Sequence, residues 1–254
     1  MMLLDGKARA NVLMEALKKE FDALECPPGL AVVLVGNDPA SLLYVLLKKK
    51  RGRELGVRVF VKHFPQDASE ENISETIADL NKDARIQGIL IQLPLPRHLN
   101  AGRLISLINP SKDVDGLLSD SLLLSPLLKA IWDLLKLASP SLAGKKATLF
   151  INSKEFEERL RAMLAKEGVI CVDDSRYADI VICAKGKPGF LSADMIKKGA
   201  IVIDVGTTRV GKAIEGDADK SVYSKAGVIS PVPGGVGPLT IAYLFSNLML
   251  LAKH

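Results

Sequence analysis

The sequence predicts an α/β protein of two lobes, an N-terminal one and a second one, both built on parallel strands, with a cleft between them. Two observations carry this. Short apolar blocks rich in Val and Ile alternate with longer amphipathic stretches, as strands buried on both faces and covered by helices do. Midway, the polar segment PSKDVDGLLSD, residues 110–120, interrupts that alternation and separates two α/β halves.

The first half opens with an amphipathic helix over 7–24. The continuous apolar run LAVVLV predicts a strand at 30–35, and Asp38-Pro39 starts a helix over 39–55, since Asp caps a helix and proline costs nothing at its first position. VRVFVK predicts a strand at 57–62, followed by a helix at 69–82, the strand GILIQ at 88–92 and a helix at 101–109. A leucine-rich helix over 120–138 reads as the connector. The second half repeats the theme: strand 147–151, helix 153–166, short strand 169–172, strand 179–184, helix 192–198 and strand 200–205. A Pro/Gly loop at 230–238 leads into a final apolar helix, 239–252. The expected domains are 1–118, joined by the C-terminal helix of 239–254, and 119–238 with the linker helix.

Composition narrows the class. With 254 residues the chain buries a sizeable core without a disulfide or metal staple. Lys and Arg exceed Asp and Glu by 34 to 29, too small and too scattered an excess for a nucleic-acid stripe. Cys26, Cys171 and Cys183 are odd in number, lack zinc spacing and sit among apolar neighbours, which predicts buried free thiols in a reducing compartment. The opening MMLLDGKARA has neither a signal nor a transit pattern, and the run from Leu122 to Leu137 is broken by Ser125, Pro126, Lys129, Asp133 and Lys136, so no membrane helix is expected. The reading is cytoplasmic. His63, His98 and His254 lie far apart and suggest surface or structural roles, with no metal site.

Four windows could carry chemistry. In VGNDPASLLYVLLKKK, Ser41, Tyr44 and Lys48 share one helical face. A phenol one turn from an ammonium can bond it, and a lysine of lowered pKa suits acid–base work. The alternative is a solvated basic helix end, Lys48 to Arg51, favoured by the helix dipole. In GILIQLPLP, Gln92 closes a strand at the rim where open α/β sheets place ligands, or simply ends it. In KDVDG, Asp115 precedes a turn glycine. In SPVPGGVGPLT, prolines and glycines make a rigid loop into a helix, suited to packing on a flat ligand.

In this order, together with LLDGK, Y-V-x-x-K-x-K, GKPGF and KKGAIVIDVG, these windows resemble the bifunctional methylenetetrahydrofolate dehydrogenase/methenyltetrahydrofolate cyclohydrolase family over most of the chain. The resemblance implies a folate-binding N-terminal lobe, an NADP-binding Rossmann-like lobe, a C-terminal helix returning to the first lobe, and a homodimer. It implies Lys48 as the catalytic lysine, Tyr44 packing on the pterin and Gln92 tuning the lysine. It further implies substrate contacts at Ser41, Asp115, Pro233, Gly234 and Gly235, and cofactor contacts at Gly186, Val205, Gly206 and Thr207. Tetrahydrofolate derivatives would be the ligands, with no metal, nucleic acid or membrane.

Departures from the family pattern gather in the second lobe. Where the family has G-x-S-x-x-x-G-x-P, this chain reads NSKEFEERL, Asn152 to Leu160, without glycine or proline. That removes close backbone approach to phosphate, and Glu155, Glu157 and Glu158 would repel it. The bland reading is a structural helix with Asn152 and Glu155 as a capping-box variant. The C-H-S-x-T segment is shortened to GVICVDDSRYADIVI, the P-C-T-P stretch is replaced by LLLSPLLKAIWDLLK, and DVG-I-N is DVGTT. The expectation is therefore hydrolysis of 5,10-methenyltetrahydrofolate, with NADP-dependent oxidation of 5,10-methylenetetrahydrofolate weakened or lost. The alternatives are a fully bifunctional enzyme with substituted NADP contacts and a non-catalytic folate-binding or oligomer-forming family member.

Overall fold

The computed structural model describes residues 1–211 and 213–253; His254 lies outside them. In chain order the elements are β1 (Met2–Leu3), α1 (Gly6–Asp22), β2 (Gly29–Val35), α2 (Pro39–Leu55), β3 (Arg58–Phe64), α3 (Glu70–Lys82), β4 (Gly88–Ile91), α4 (Ala101–Ile105), α5 (Pro126–Ala138), β5 (Lys146–Ile151) and α6 (Lys154–Lys166). They continue with β6 (Ile170–Cys171), β7 (Ile180–Ala184), β8 (Ile201–Asp204), β9 (Thr208–Val210), β10 (Ala213–Glu215), α7 (Lys220–Lys225), β11 (Val228–Ile229) and α8 (Val236–Ala252). The chain forms two compact units, residues 11–126 with 241–254, and residues 1–10 with 127–240.

The 11–126 unit is built on three parallel strands in the order β3-β2-β4, with Leu30 of β2 facing Val59 and Gly88. Every residue of β2 is buried, and strand alternation divides them between two cores. Leu30, Val32 and Leu34 pack with Leu17, Phe21, Val45, Leu55 and Phe245 from α1, α2 and α8. Ala31, Val33 and Val35 pack with Ile73, Ile77 and Leu80 of α3 and Leu104 of α4. Each fully buried Leu, Ile or Phe contributes about 1.5–3 kcal/mol, so the continuous apolar run seen in sequence is the device that clamps the sheet between helix layers.

The 127–240 unit holds a six-stranded sheet, all parallel, in the order β1-β11-β8-β7-β5-β6. Val181, Cys183, Val202 and Ile229 line one face and pack with Leu191, Ile196 and Val222. The first residues of the chain belong to this unit because β1 extends the sheet edge: Met2 and Leu4 donate backbone N–H to Gly227 and Ile229, and Leu4 is fully buried.

Several sequence expectations change. The helix expected at 101–109 ends at Ile105, and the helix expected at 120–138 starts only at Pro126, whose fixed φ suits a first turn. The helix expected at 192–198 is a single 3₁₀ turn, Ala193–Met195, because Gly199, at φ 81°, reverses the chain just beyond it. The β9–β10 hairpin, α7 and the two-residue strands β1 and β11 carry too few residues to show a period. The cysteines are all free, but only Cys183 is buried; Cys26 is exposed in the turn after α1, and Cys171 lies on an edge strand. His63 and His98 are structural, each with its Nε2 on a backbone carbonyl, of Gly36 and Ala68. Among the described residues no helix is long and apolar enough to cross a membrane.

Candidate active site

Helix α2 is set by its ends. The Asp38 carboxylate accepts from the Ser41 N–H at 2.8 Å, Pro39 occupies the first turn, and Gly56, at φ 79°, closes the C-terminus by donating to Arg53 and Gly52 carbonyls. That phasing puts Ser41 and Val45 inward, and with them Tyr44 and Lys48 at partly buried positions. The basic-helix-end alternative fits Lys49 and Lys50, which are exposed, but not Lys48.

Lys48 Nζ donates to Gln92 Oε1 at 2.8 Å. The amide cannot turn round without loss, because its Nε2 donates to the Leu93 carbonyl at 2.8 Å and the Gln92 N–H is held by the Val33 carbonyl. Burial holds the Lys48 pKa below the ordinary lysine value, against the opposing pull of Asp115. Burial also raises the Asp115 pKa; Lys48 works against that rise and the nearby Asp113 adds to it. The result is a lysine displaced towards its neutral form, with one N–H fixed on an amide and a carboxyl group within electrostatic reach. Tyr44 packs on the core and forms no hydrogen bond to Lys48, so the phenol–ammonium bond suggested by spacing is replaced by the amide of Gln92. Ser41 is 2 % exposed, and its Oγ is buried without a hydrogen-bond partner.

The loop carrying Asp115 is fixed by the turn glycine expected there, Gly116, and by two residues that sequence reading did not single out, Asp113 and Asn247. The Asp113 carboxylate, buried, accepts from the Leu118 N–H at 2.9 Å. Gly116 has φ 59°, and a Cβ there would stand 2.5 Å from the Leu123 carbonyl oxygen, so glycine is required. Asn247 of α8, fully buried, donates to the Val114 and Leu124 carbonyls at 2.8 and 3.1 Å. A lone Asn in the apolar run of α8 was the available signal, since a buried amide must find partners.

The remaining site residues expected from sequence lie in the other unit. The loop expected at 230–238 ends at Gly235, because α8 already begins at Val236; in it the Val232–Pro233 peptide is cis, Pro233 is exposed, and Gly235 donates to the Pro231 carbonyl at 2.7 Å. Gly234 accepts from the Lys7 N–H at 2.8 Å. Gly6 allows the chain to pass Gly235 closely: a Cβ on it would be 1.9 Å from the Gly235 oxygen.

Gly186, Val205, Gly206 and Thr207 follow β7 and β8, at the carboxyl ends of the parallel strands where such folds bind ligands. Three consecutive N–H groups, of Lys185, Gly186 and Lys187, converge on the carboxylate of Asp217, at 2.6, 3.1 and 2.7 Å. Gly206 backs the same residue, since a Cβ there would lie 2.5 Å from the Asp217 carboxyl carbon, and Val205 donates to the Cys183 carbonyl. Thr207 is exposed. Asp217 also faces the Cys183 thiol at 3.5 Å, and burial raises the thiol pKa so that it stays protonated. After β5 the helix cap is Ser153, whose Oγ accepts from the Phe156 N–H. The capping-box variant with Asn152 is not formed, because the Asn152 amide turns to the Lys185 carbonyl at 2.8 Å.

Comparison with known proteins decides what these residues belong to. The family model described as tetrahydrofolate dehydrogenase/cyclohydrolase, catalytic domain, matches residues 4–115, and its NAD(P)-binding domain matches 126–254. The chain belongs to the tetrahydrofolate dehydrogenase/cyclohydrolase family. The bifunctional protein FolD of Nitratiruptor sp. is 38% identical over 280 residues, covering 100% of this chain and 99% of its own length. The crystal structure of the Campylobacter jejuni bifunctional enzyme FolD superposes with a TM-score of 0.91 at 37% identity, covering 100% of this chain and 99% of that one. The Trypanosoma brucei enzyme, solved with NADP cofactor and inhibitor, gives a TM-score of 0.92 at 30% identity, covering 100% and 97%. The family fold is thus present in both units. Family membership brings an NAD(P)-type second domain, yet the backbone donors at the carboxyl end of β7 are spent on Asp217, and the turn after β5 has no glycine with which to approach a phosphate.

Proposed function

We propose that this protein serves one-carbon folate metabolism as a cytoplasmic, homodimeric enzyme that hydrolyses 5,10-methenyltetrahydrofolate to 10-formyltetrahydrofolate. The observation that carries the reading is the 2.8 Å bond from Lys48 Nζ to Gln92 Oε1, made by a lysine whose burial lowers its pKa and which has Asp115 within reach, in a chain matched by the family's catalytic domain.

The reaction adds water to the cationic amidinium carbon between N5 and N10. Neutral Lys48 takes a proton from the attacking water; Gln92 holds one N–H and leaves the lone pair free for that transfer. As the C–N5 bond breaks, Lys48 returns its proton to N5, the hydroxyl proton leaves to solvent, and the formyl group stays on N10. Asp115 accepts from the 2-amino and ring N–H donors of the pterin, which favour its charged form, and Tyr44 packs against the ring system. The unpartnered Ser41 hydroxyl supplies a further polar contact to substrate. A non-catalytic folate-binding role leaves the Lys48–Gln92 pair without a purpose. The family's other reaction, NADP-dependent oxidation of 5,10-methylenetetrahydrofolate, turns on the second unit.

Purified protein should hydrolyse 5,10-methenyltetrahydrofolate with no nucleotide added, and Lys48→Met should lose that activity while still binding a folate analogue. Absence of hydrolysis, or activity unchanged in the variant, rejects the assignment.

A further inference from the structure

We propose that the dinucleotide crevice of this chain is closed to a pyrophosphate, and that the protein therefore works as a hydrolase without NADP or NAD. The closure stands on the geometry of the 127–240 unit alone; its catalytic consequence rests on the hydrolase reading above.

In the sheet order β7-β5-β6 the chain runs from β5 to its neighbour β6 on one side and then crosses to β7 on the other, so the switch point falls between β5 and β7. Open α/β sheets bind ligands in the crevice outside the carboxyl ends of the strands at that point. Here the crevice is bridged twice. Asn152 Nδ2, just beyond β5, donates to the Lys185 carbonyl beyond β7 at 2.8 Å, and Lys185 Nζ reaches back to the Ile151 carbonyl at 3.1 Å. A pyrophosphate entering between the two strand ends must break both bonds.

The donors that would receive it are also committed. Consecutive N–H groups after a strand form a natural anion nest, but the nest of residues 185–187 holds the protein's own Asp217 carboxylate, which is fully buried. At the start of α6, Ser153 Oγ already takes the Phe156 N–H, and the first turn carries Glu155 and Glu157. Those carboxylates suit the helix dipole and oppose a phosphate beside it. The basic side chain of that turn, Lys154, faces Glu158 at 3.7 Å. Bridge, filled nest and acidic turn are separate features, and all act in the same direction.

The test titrates NADP+ and, separately, NAD+ into the full chain by calorimetry, with nucleotide-free hydrolysis measured on the same preparation. The expected result is active hydrolase whose dissociation constant for either nucleotide is about 1 mM or weaker, at least about 1,000-fold above a micromolar site. Asn152→Gly with Lys185→Ala opens the bridge and should bind NADP+ about tenfold or more tightly than the parent, a gain in line with two lost intramolecular bonds, with hydrolysis unchanged. Micromolar binding by the parent overturns the proposal, as does a double variant no tighter than the parent. Weak binding without any hydrolysis instead rejects the hydrolase reading and leaves the closure standing.

Discussion

Gln92→Glu replaces the amide that Lys48 now bonds with a carboxylate, at a site where the oxygen lies 2.8 Å from the ammonium nitrogen. An opposite charge that close favours protonated lysine and should raise its pKa by about 1–3 units. The native lysine starts below its ordinary value because burial penalises the charge, so the substitution removes the displacement that the mechanism uses. The sign follows from the role: the neutral amine is the base, so kcat/KM climbs with pH as Lys48 loses its proton. In the variant the rising limb should move to higher pH by about 1–3 units, costing about 10- to 1,000-fold in rate at a fixed pH on that limb and recovering above it. Each unit corresponds to about 1.4 kcal/mol. The assay follows loss of the methenyl chromophore across a pH series, with the uncatalysed rate subtracted. A limb that stays in place, or a loss equal at every pH, would refute the claim that Lys48 acts as a base tuned by residue 92.

Asn247→Leu removes the donor that holds the Val114 and Leu124 carbonyls and leaves the buried Val114 oxygen without that bond. It should cost about 1–3 kcal/mol in urea unfolding and raise the KM for substrate, because the Asp115 loop loses its tether; an unchanged midpoint and KM would contradict the tether. Ser41→Ala deletes a hydroxyl that has no partner. Stability should stay level or rise by up to about 1 kcal/mol while KM increases, and a variant with native KM removes Ser41 from the substrate contacts.

Much of the architecture was legible from local pattern. LAVVLV reads as a strand covered on both faces, and Asp38-Pro39 starts α2, because caps and apolar runs act through neighbours in the chain. Elements that escaped notice are two or three residues long: β1 and β11 exist because a distant strand offers them partners, and β9 and β10 pair only with each other. The apolar spacing that predicts a helix over 101–109 runs on past Ile105, where the helix ends, into a turn capped at Asn109.

The candidate site divides in the same way. Sequence alone determined which side chains share the α2 face, which turn carries Asp115, that glycine is missing after β5, and the family to which the motifs point. Tertiary structure decided the partners: it leaves Lys48 with Gln92, as the family motifs imply, and without the phenol of Tyr44 that helical spacing suggests, and it puts Asn247 behind Asp115, Asp217 in the nest after β7, and Asn152 across to Lys185. Helical spacing, caps and turns are short-range and can be read residue by residue. A hydrogen bond between residues dozens of positions apart, and the burial that displaces a lysine pKa, exist only once the strands have brought those residues together.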